Sequence, residues 1–114
     1  VTHPDILVAQ AADSITRFGQ VVKPDGILIY DSDMVHETPA NIRRQYKVPA
    51  TSIARNQVKA SMTANMVMLG ALYKITEVVS RKALEKAIRR SVPAGKAEMN
   101  LEAFNLGFDE VQAV

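Results

Sequence analysis

The residues best suited to chemistry gather at Asp31-Ser32-Asp33, directly behind an apolar run, Ile27-Leu28-Ile29-Tyr30, that reads as a strand. Ligands of open parallel sheets collect beyond the carboxyl ends of strands, which makes Asp31 and Ser32 candidate cofactor contacts. A metal site is the weaker reading of this corner, because no dependable third ligand stands nearby in sequence. Asp and Ser compete for backbone N–H groups, so a turn or a helix-capping cluster explains the corner more simply. A second candidate set is cationic. Arg81, Lys82, Lys86, Arg89 and Arg90 fall on the outer face of a helix expected over Arg81–Ser91. A solvated face is the plain account of such a row, and an anionic partner or a cofactor phosphate at Arg89 and Arg90 is the sharper one. Asn65 is the third candidate. It is an amide in an uncharged run, residues 61–73, and reads most simply as a hydrogen-bonded core or helix-start amide, with a polar contact to a ligand or a partner subunit as the sharper account.

Other chemistry is absent. With no Cys in 114 residues, the chain has no thiolate for an iron–sulfur cluster or a structural zinc. His3 and His36 are far apart beside expected loops, and neither has a companion at metal-ligand spacing. There is no glycine-rich dinucleotide loop, no Walker loop and no nucleophile elbow. A net charge of +2 and 5% aromatic residues give little footing for nucleic-acid binding. Neither a signal-peptide pattern nor a membrane-length apolar run is visible, so a cytoplasmic location is expected and no membrane partner.

The elements that must position these residues form an α/β pattern. Pro4-Asp5-Ile6-Leu7-Val8-Ala9 and Ile27-Leu28-Ile29-Tyr30 are continuous apolar runs, as in strands covered on both faces. Between them Ala11, Ile15 and Phe18 fall at helical spacing, followed by Gly19 and a turn at Lys23-Pro24-Asp25-Gly26. Strand, helix, turn and strand in this order predict a βαβ unit and a parallel sheet. The fold expected over residues 1–114 is a single α/β domain, three-layered and Rossmann-like, with a mostly parallel sheet. Residues 34–44 read as loop or short helix, and Tyr46-Lys47-Val48 as a third, shorter strand. A helical turn capped by Thr51 or Ser52 should run through Ala54.

The uncharged run at 61–73 is too short to span a bilayer and predicts a buried central helix. Within it Gly70 leaves room for another backbone, and Met66, Met68 and Leu69 can fill irregular gaps. Ser80 is placed to cap the next helix, with Leu84, Ala87 and Ile88 as its buried stripe and Glu85 paired to Arg89. After Pro93 and Gly95, Ala97, Leu101, Phe104, Phe108 and Val111 make the most regular amphipathic stripe of the chain, which should dock on the sheet or the central helix. Gly107 inside it marks either close packing or fraying.

Longer segments occur in a recognisable order. These are Pro4 to Ala9, Val22-Lys23-Pro24-Asp25-Gly26-Ile27-Leu28-Ile29-Tyr30-Asp31-Ser32, Val48-Pro49-Ala50-Thr51-Ser52-Ile53-Ala54, and Asn65-Met66-Val67-Met68-Leu69-Gly70-Ala71-Leu72. Val92-Pro93-Ala94-Gly95-Lys96-Ala97-Glu98-Met99-Asn100 and Ala103-Phe104-Asn105-Leu106-Gly107 close the set. Together they resemble the gamma subunit, or gamma domain, of 2-oxoacid:ferredoxin oxidoreductases, and the closing segment is most similar to the 2-oxoglutarate type. The resemblance implies a part of a multisubunit enzyme, non-catalytic and inactive alone, joined to alpha and beta subunits and to a delta subunit where one is present. That enzyme decarboxylates a 2-oxoacid on thiamine diphosphate, passes electrons through iron–sulfur clusters to ferredoxin, and releases an acyl-coenzyme A. The gamma part is implied to share in assembly and in enclosing coenzyme A, with the other cofactors held by companion subunits. The family's N-terminal Gly-rich loop is missing, so the chain resembles the C-terminal two-thirds of such a subunit, an N-terminally truncated fragment with an exposed sheet edge. From the residues alone two other readings stay open. One is a stand-alone ligand-binding α/β domain using the corner at Asp31, and the other a scaffold that binds polyanions on the basic helix.

Overall fold

The computed structural model describes residues 6–10, 26–76 and 80–114. The helix expected to end at Phe18, Gly19, the start of the turn at Lys23 and His3 lie outside the described residues. Strands β1 (Ile6–Ala9), β2 (Ile27–Asp31) and β3 (Arg44–Val48) lie side by side in parallel, in chain order. Ile6 stands opposite Ile27, and Ile27 opposite Arg44. A short fourth strand, β4 (Gln112–Ala113), returns antiparallel to the outer edge of β3, and the Val114 N–H continues the ladder to the Gln45 carbonyl at 3.0 Å. The α/β class and the mostly parallel sheet are therefore as the apolar runs predicted. On its other edge β1 has no strand partner among the described residues.

Side-chain alternation along β2 divides the core in two. Ile29, with Val48 of β3, packs under the helices, whereas Leu28 and Tyr30 point to the opposite face and meet Ala9, Val35 and Ile42. Val35 and Ile42 belong to the connection between β2 and β3, which contains no helix and follows the expected loop. Two apolar side chains on a coil cover part of a sheet face that a crossover helix would otherwise cover. β3 begins at Arg44, two residues earlier than its apolar residues suggest, because pairing to β2 carries the strand through the polar Arg44 and Gln45.

Helical structure begins directly after β3. A single turn, α1 (Ala50–Ser52), passes without a break into a π-helix at Ile53–Val58, so the turn expected to stop at Ala54 runs further. A 3₁₀ turn at Ser61–Thr63 then leads into α2 (Ala64–Thr76). Next come α3 (Arg81–Ser91) and, after a 3₁₀ turn at Ala94–Lys96, α4 (Ala97–Glu110). The Ser80 hydroxyl caps α3 as expected, accepting from the Ala83 N–H at 3.1 Å.

α2 is the element against which the others pack. Val67, Met68, Gly70, Ala71 and Tyr73 are buried along it, while Asn65 is exposed. Of the two plain readings of Asn65, core amide or helix-start amide, the second is the one found: it lies in the first turn, where α2 has not yet entered the core, and its Oδ1 accepts from the Met66 N–H. α4 lies along α2, with Ala97, Leu101 and Phe104 of its predicted stripe buried and Phe108 half-buried. Val111 falls just past the helix end. At the crossing of the two helices stand two glycines. A Cβ on Gly70 would collide with the Phe104 carbonyl oxygen, and one on Gly107 with the Val67 carbonyl oxygen. Gly107 therefore marks close packing, not fraying. Tyr73, Ile88, Leu101 and Phe104 then tie α3 to the pair, with the Tyr73 ring 5.9 Å from both Phe104 and Phe108. Of the stripe expected on α3, Ile88 is buried, Leu84 half-buried and Ala87 exposed, since α3 touches its neighbours along one narrow line.

Candidate functional site

The acidic corner at the end of β2 is built by strand alternation. Asp31 lies two residues beyond Ile29, so its side chain faces the helical layer, and it is only 1% exposed. There α1 arrives from β3. Asp31 Oδ2 accepts from the Thr51 hydroxyl at 2.6 Å and the Thr51 N–H at 3.2 Å, while its Oδ1 accepts from the Asp33 N–H at 3.0 Å. Asp33 Oδ2 accepts from the Ser52 N–H at 2.7 Å. Two carboxylates thus satisfy the free N–H groups at the start of a helix from across the sheet, favourably aligned with its dipole. Thr51 donates to the cap where the sequence suggested that it might be the cap. The Ser32 N–H donates to the Val48 carbonyl at 3.0 Å, extending the β2–β3 ladder by one bond. The capping account of this corner is the one its hydrogen bonds support. Among the described residues no group of three His, Asp or Glu is arranged to hold a metal ion.

The cations of α3 divide into two rows. Residues 81, 85 and 89 face α4. Arg81 donates to Asn105 Oδ1 at 2.6 Å, stands 4.2 Å above the Phe108 ring centroid, and lies 3.9 Å from Glu85. Arg89 pairs with Glu98 of α4 at 2.7 Å. The expected Glu85–Arg89 pair is therefore replaced by two others, because α4 brings Glu98 closer than the next turn of α3 brings Glu85. Lys82, Lys86 and Arg90 form the outer row, exposed and without a partner among the described residues. Between α3 and α4 runs an open groove of about 430 Å³ whose charges are Glu85, Glu98, Glu102, Asp109 and Arg89. The groove suits an anion poorly, which leaves Arg90 as the member of the Arg89–Arg90 pair with no carboxylate partner among the described residues.

One region carries features that the residue pattern did not announce. The π-helix Ile53–Val58 buries Ile53 and Ala54 and exposes Arg55, Asn56 and Gln57. It ends at Lys59, whose φ of 64° places a non-glycine residue in the left-handed region, and the Ala60 N–H donates back to the Ala54 carbonyl at 2.8 Å. Single π turns occur often at functional sites. Beyond it Met62 is 72% exposed. A sequence signal does exist here: from Thr38 to Thr76 the chain has no Asp or Glu, against Arg43, Arg44, Lys47, Arg55, Lys59 and Lys74. The asymmetry disappears in a net charge of +2, because the last eighteen residues, 97–114, carry four acids and no cation.

Comparison with known proteins places this architecture. The family model described as pyruvate ferredoxin/flavodoxin oxidoreductase matches residues 1–110. The chain belongs to this family. Among curated members, the 2-oxoglutarate synthase subunit KorC of Methanocaldococcus jannaschii is 40% identical over 111 residues, covering 96% of this chain and 59% of that one. Among solved structures, the gamma subunit of a keto/oxoacid ferredoxin oxidoreductase from Geobacter sulfurreducens superposes with a TM-score of 0.88 at 34% identity, over 92% of this chain and 62% of that one. The 2-oxoglutarate:ferredoxin oxidoreductase of Magnetococcus marinus, solved with 2-oxoglutarate, coenzyme A and succinyl-CoA, matches at a TM-score of 0.74 and 26% identity, over 92% of this chain but 19% of that one. The oxidoreductase fold thus occurs both in subunit-sized chains and as a small part of a much longer one. The present chain spans about three-fifths of the KorC relative's length. Among the described residues of this family member no helix is long and apolar enough to cross a membrane.

Proposed function

We propose that the chain works, as one α/β domain over residues 1–114, in the gamma part of a 2-oxoacid:ferredoxin oxidoreductase of the 2-oxoglutarate type, in the cytoplasm. Its partners in this reading are alpha and beta subunits, a delta subunit where present, and ferredoxin through the complex. The observation that most supports it is the likeness to gamma-type subunits along almost the whole chain. Thiamine diphosphate and iron–sulfur clusters supply the decarboxylation and electron-transfer chemistry of such an assembly. Neither is routed through this chain. With no Cys these 114 residues offer no thiolate to a cluster, and the part proposed for them is non-catalytic.

Its own residues have two tasks in this reading, packing against companions and closing the coenzyme A side. Coenzyme A is a phosphate-bearing ligand, and the outer row of α3, Lys82, Lys86 and Arg90, offers phosphates exposed cations that have no partner among the described residues. Asn65, exposed at the start of α2, remains a candidate hydrogen-bond contact. Asp31 acts at one remove, by holding α1 in place together with Asp33, while Ser32 extends the β2–β3 ladder. The test is coenzyme A-dependent ferredoxin reduction by companion subunits with and without this chain. Full activity without it would sink the subunit reading. Arg90→Glu in the complex is expected to raise the apparent KM for coenzyme A several-fold, with the KM for the 2-oxoacid unchanged. An unchanged KM for coenzyme A returns the α3 row to a solvated face.

A further inference from the structure

We propose that the surface formed by the π-helix Ile53–Val58 and the turn after it, residues 59–62, docks an acidic surface of a companion subunit. This inference rests on the subunit reading above and assigns the contact to one face. Charge is the first argument. Arg55 and Lys59 are exposed on this face, and no carboxylate occurs anywhere between Thr38 and Thr76 to neutralise them from within the same stretch. A complementary anion must come from outside it, and charge pairing across an interface sets both register and encounter rate.

Composition is the second argument. Met62 is a large apolar side chain, 72% exposed, set among Arg55, Asn56, Gln57, Lys59 and Ser61, all exposed. An apolar anchor inside a polar rim, with Met and Arg prominent, is the anatomy of a protein interface. That anatomy favours a protein surface over a small phosphate, which needs no apolar anchor.

Preorganisation is the third. The segment is fixed at its start by Asp31 and Asp33 through Thr51 and Ser52, and at its end by the Ala60–Ala54 hydrogen bond. A face already held in shape loses little conformational entropy on docking. The left-handed Lys59 is a local backbone cost retained in this segment.

The test is co-expression of the chain with the subunits that copurify with it, followed by native mass spectrometry and a titrated pull-down. Met62→Asp and the double variant Arg55→Glu/Lys59→Glu are expected to weaken assembly at least about tenfold. The weakening should be smaller at high salt for the charge variant. Lys82→Glu/Lys86→Glu on α3 should assemble like the wild type. Circular dichroism of each variant checks that it is folded, which exposed positions should allow. Assembly of both face variants at wild-type affinity overturns the proposal and leaves the subunit reading intact. So does normal assembly with a raised KM for coenzyme A in the double variant, which would make the face a small-anion site. Failure of the wild-type chain to bind any companion overturns both readings together.

Discussion

Two junctions hold the helical layer in place, and they work by opposite means. Where α2 crosses α4, the close approach is between main chains: Gly70 and Gly107 let each backbone lie against the carbonyl of the other helix. Where α1 leaves β3, Val48 and Ala50 are buried in the core, but the helix start is held by polar contacts, with two carboxylates from the end of β2 receiving Thr51 and Ser52. The first junction depends on the absence of atoms, and the second on their charge. Tolerance to substitution should differ accordingly. An alanine is the worst small change at the crossing, whereas at the corner a near-isosteric amide should be partly accepted.

Gly107→Ala and Gly70→Ala sharpen this comparison most. Each puts a methyl into a main-chain oxygen, so each should destabilise the fold by about 3 kcal/mol or more, read as a lowered urea midpoint. A loss under about 1 kcal/mol would mean that the helices slide apart without penalty. Asp31→Ala comes next, at about 2 kcal/mol, since it strands the Thr51 hydroxyl and two N–H groups in a buried place. Asp31→Asn should cost clearly less, because one carbonyl oxygen still accepts. Equal costs for the two would show that space, not hydrogen bonding, governs the corner. Ser80→Ala, removing the α3 cap, should cost about 1 kcal/mol in the same assay. Arg89→Ala should be the mildest, within about 0.5 kcal/mol, because its pair with Glu98 is solvent-exposed.

The same contrast separates what the sequence disclosed from what it did not. The apolar runs before Asp31 and the stripe Leu101, Phe104 and Phe108 follow from local period, and they gave the sheet direction and the docking of α4. Gly70 was readable as a close approach because a glycine inside an apolar helix has few other uses. The partner of Arg89 was not readable. Whether Glu85 or Glu98 lies nearer depends on how α4 crosses α3, which no spacing within α3 encodes. For Asn65 the residues left core and helix start both open for a related reason, since an uncharged run does not say where along it burial starts. β4 escaped notice because two exposed residues have no period, and the π-helix because its residues are ordinary helix formers until Lys59 turns left-handed. The candidate site divided the same way. The capping account of Asp31 needed only local chemistry, while the face at Arg55 and Met62 emerged once charge was counted by region instead of over the whole chain.

The paired glycines have a consequence for how this chain can change over time. At both positions the obstructing atoms belong to the main chain, the carbonyls of Phe104 and Val67. Shrinking a neighbouring side chain therefore creates no room, and no second-site replacement at 104 or 67 can suppress an alanine at 70 or 107. Core positions ordinarily drift in compensating pairs, one side chain growing as another shrinks. These two cannot. A selection for revertants of Gly107→Ala should return true reversions or changes that stabilise the fold elsewhere, and none at the residues in contact.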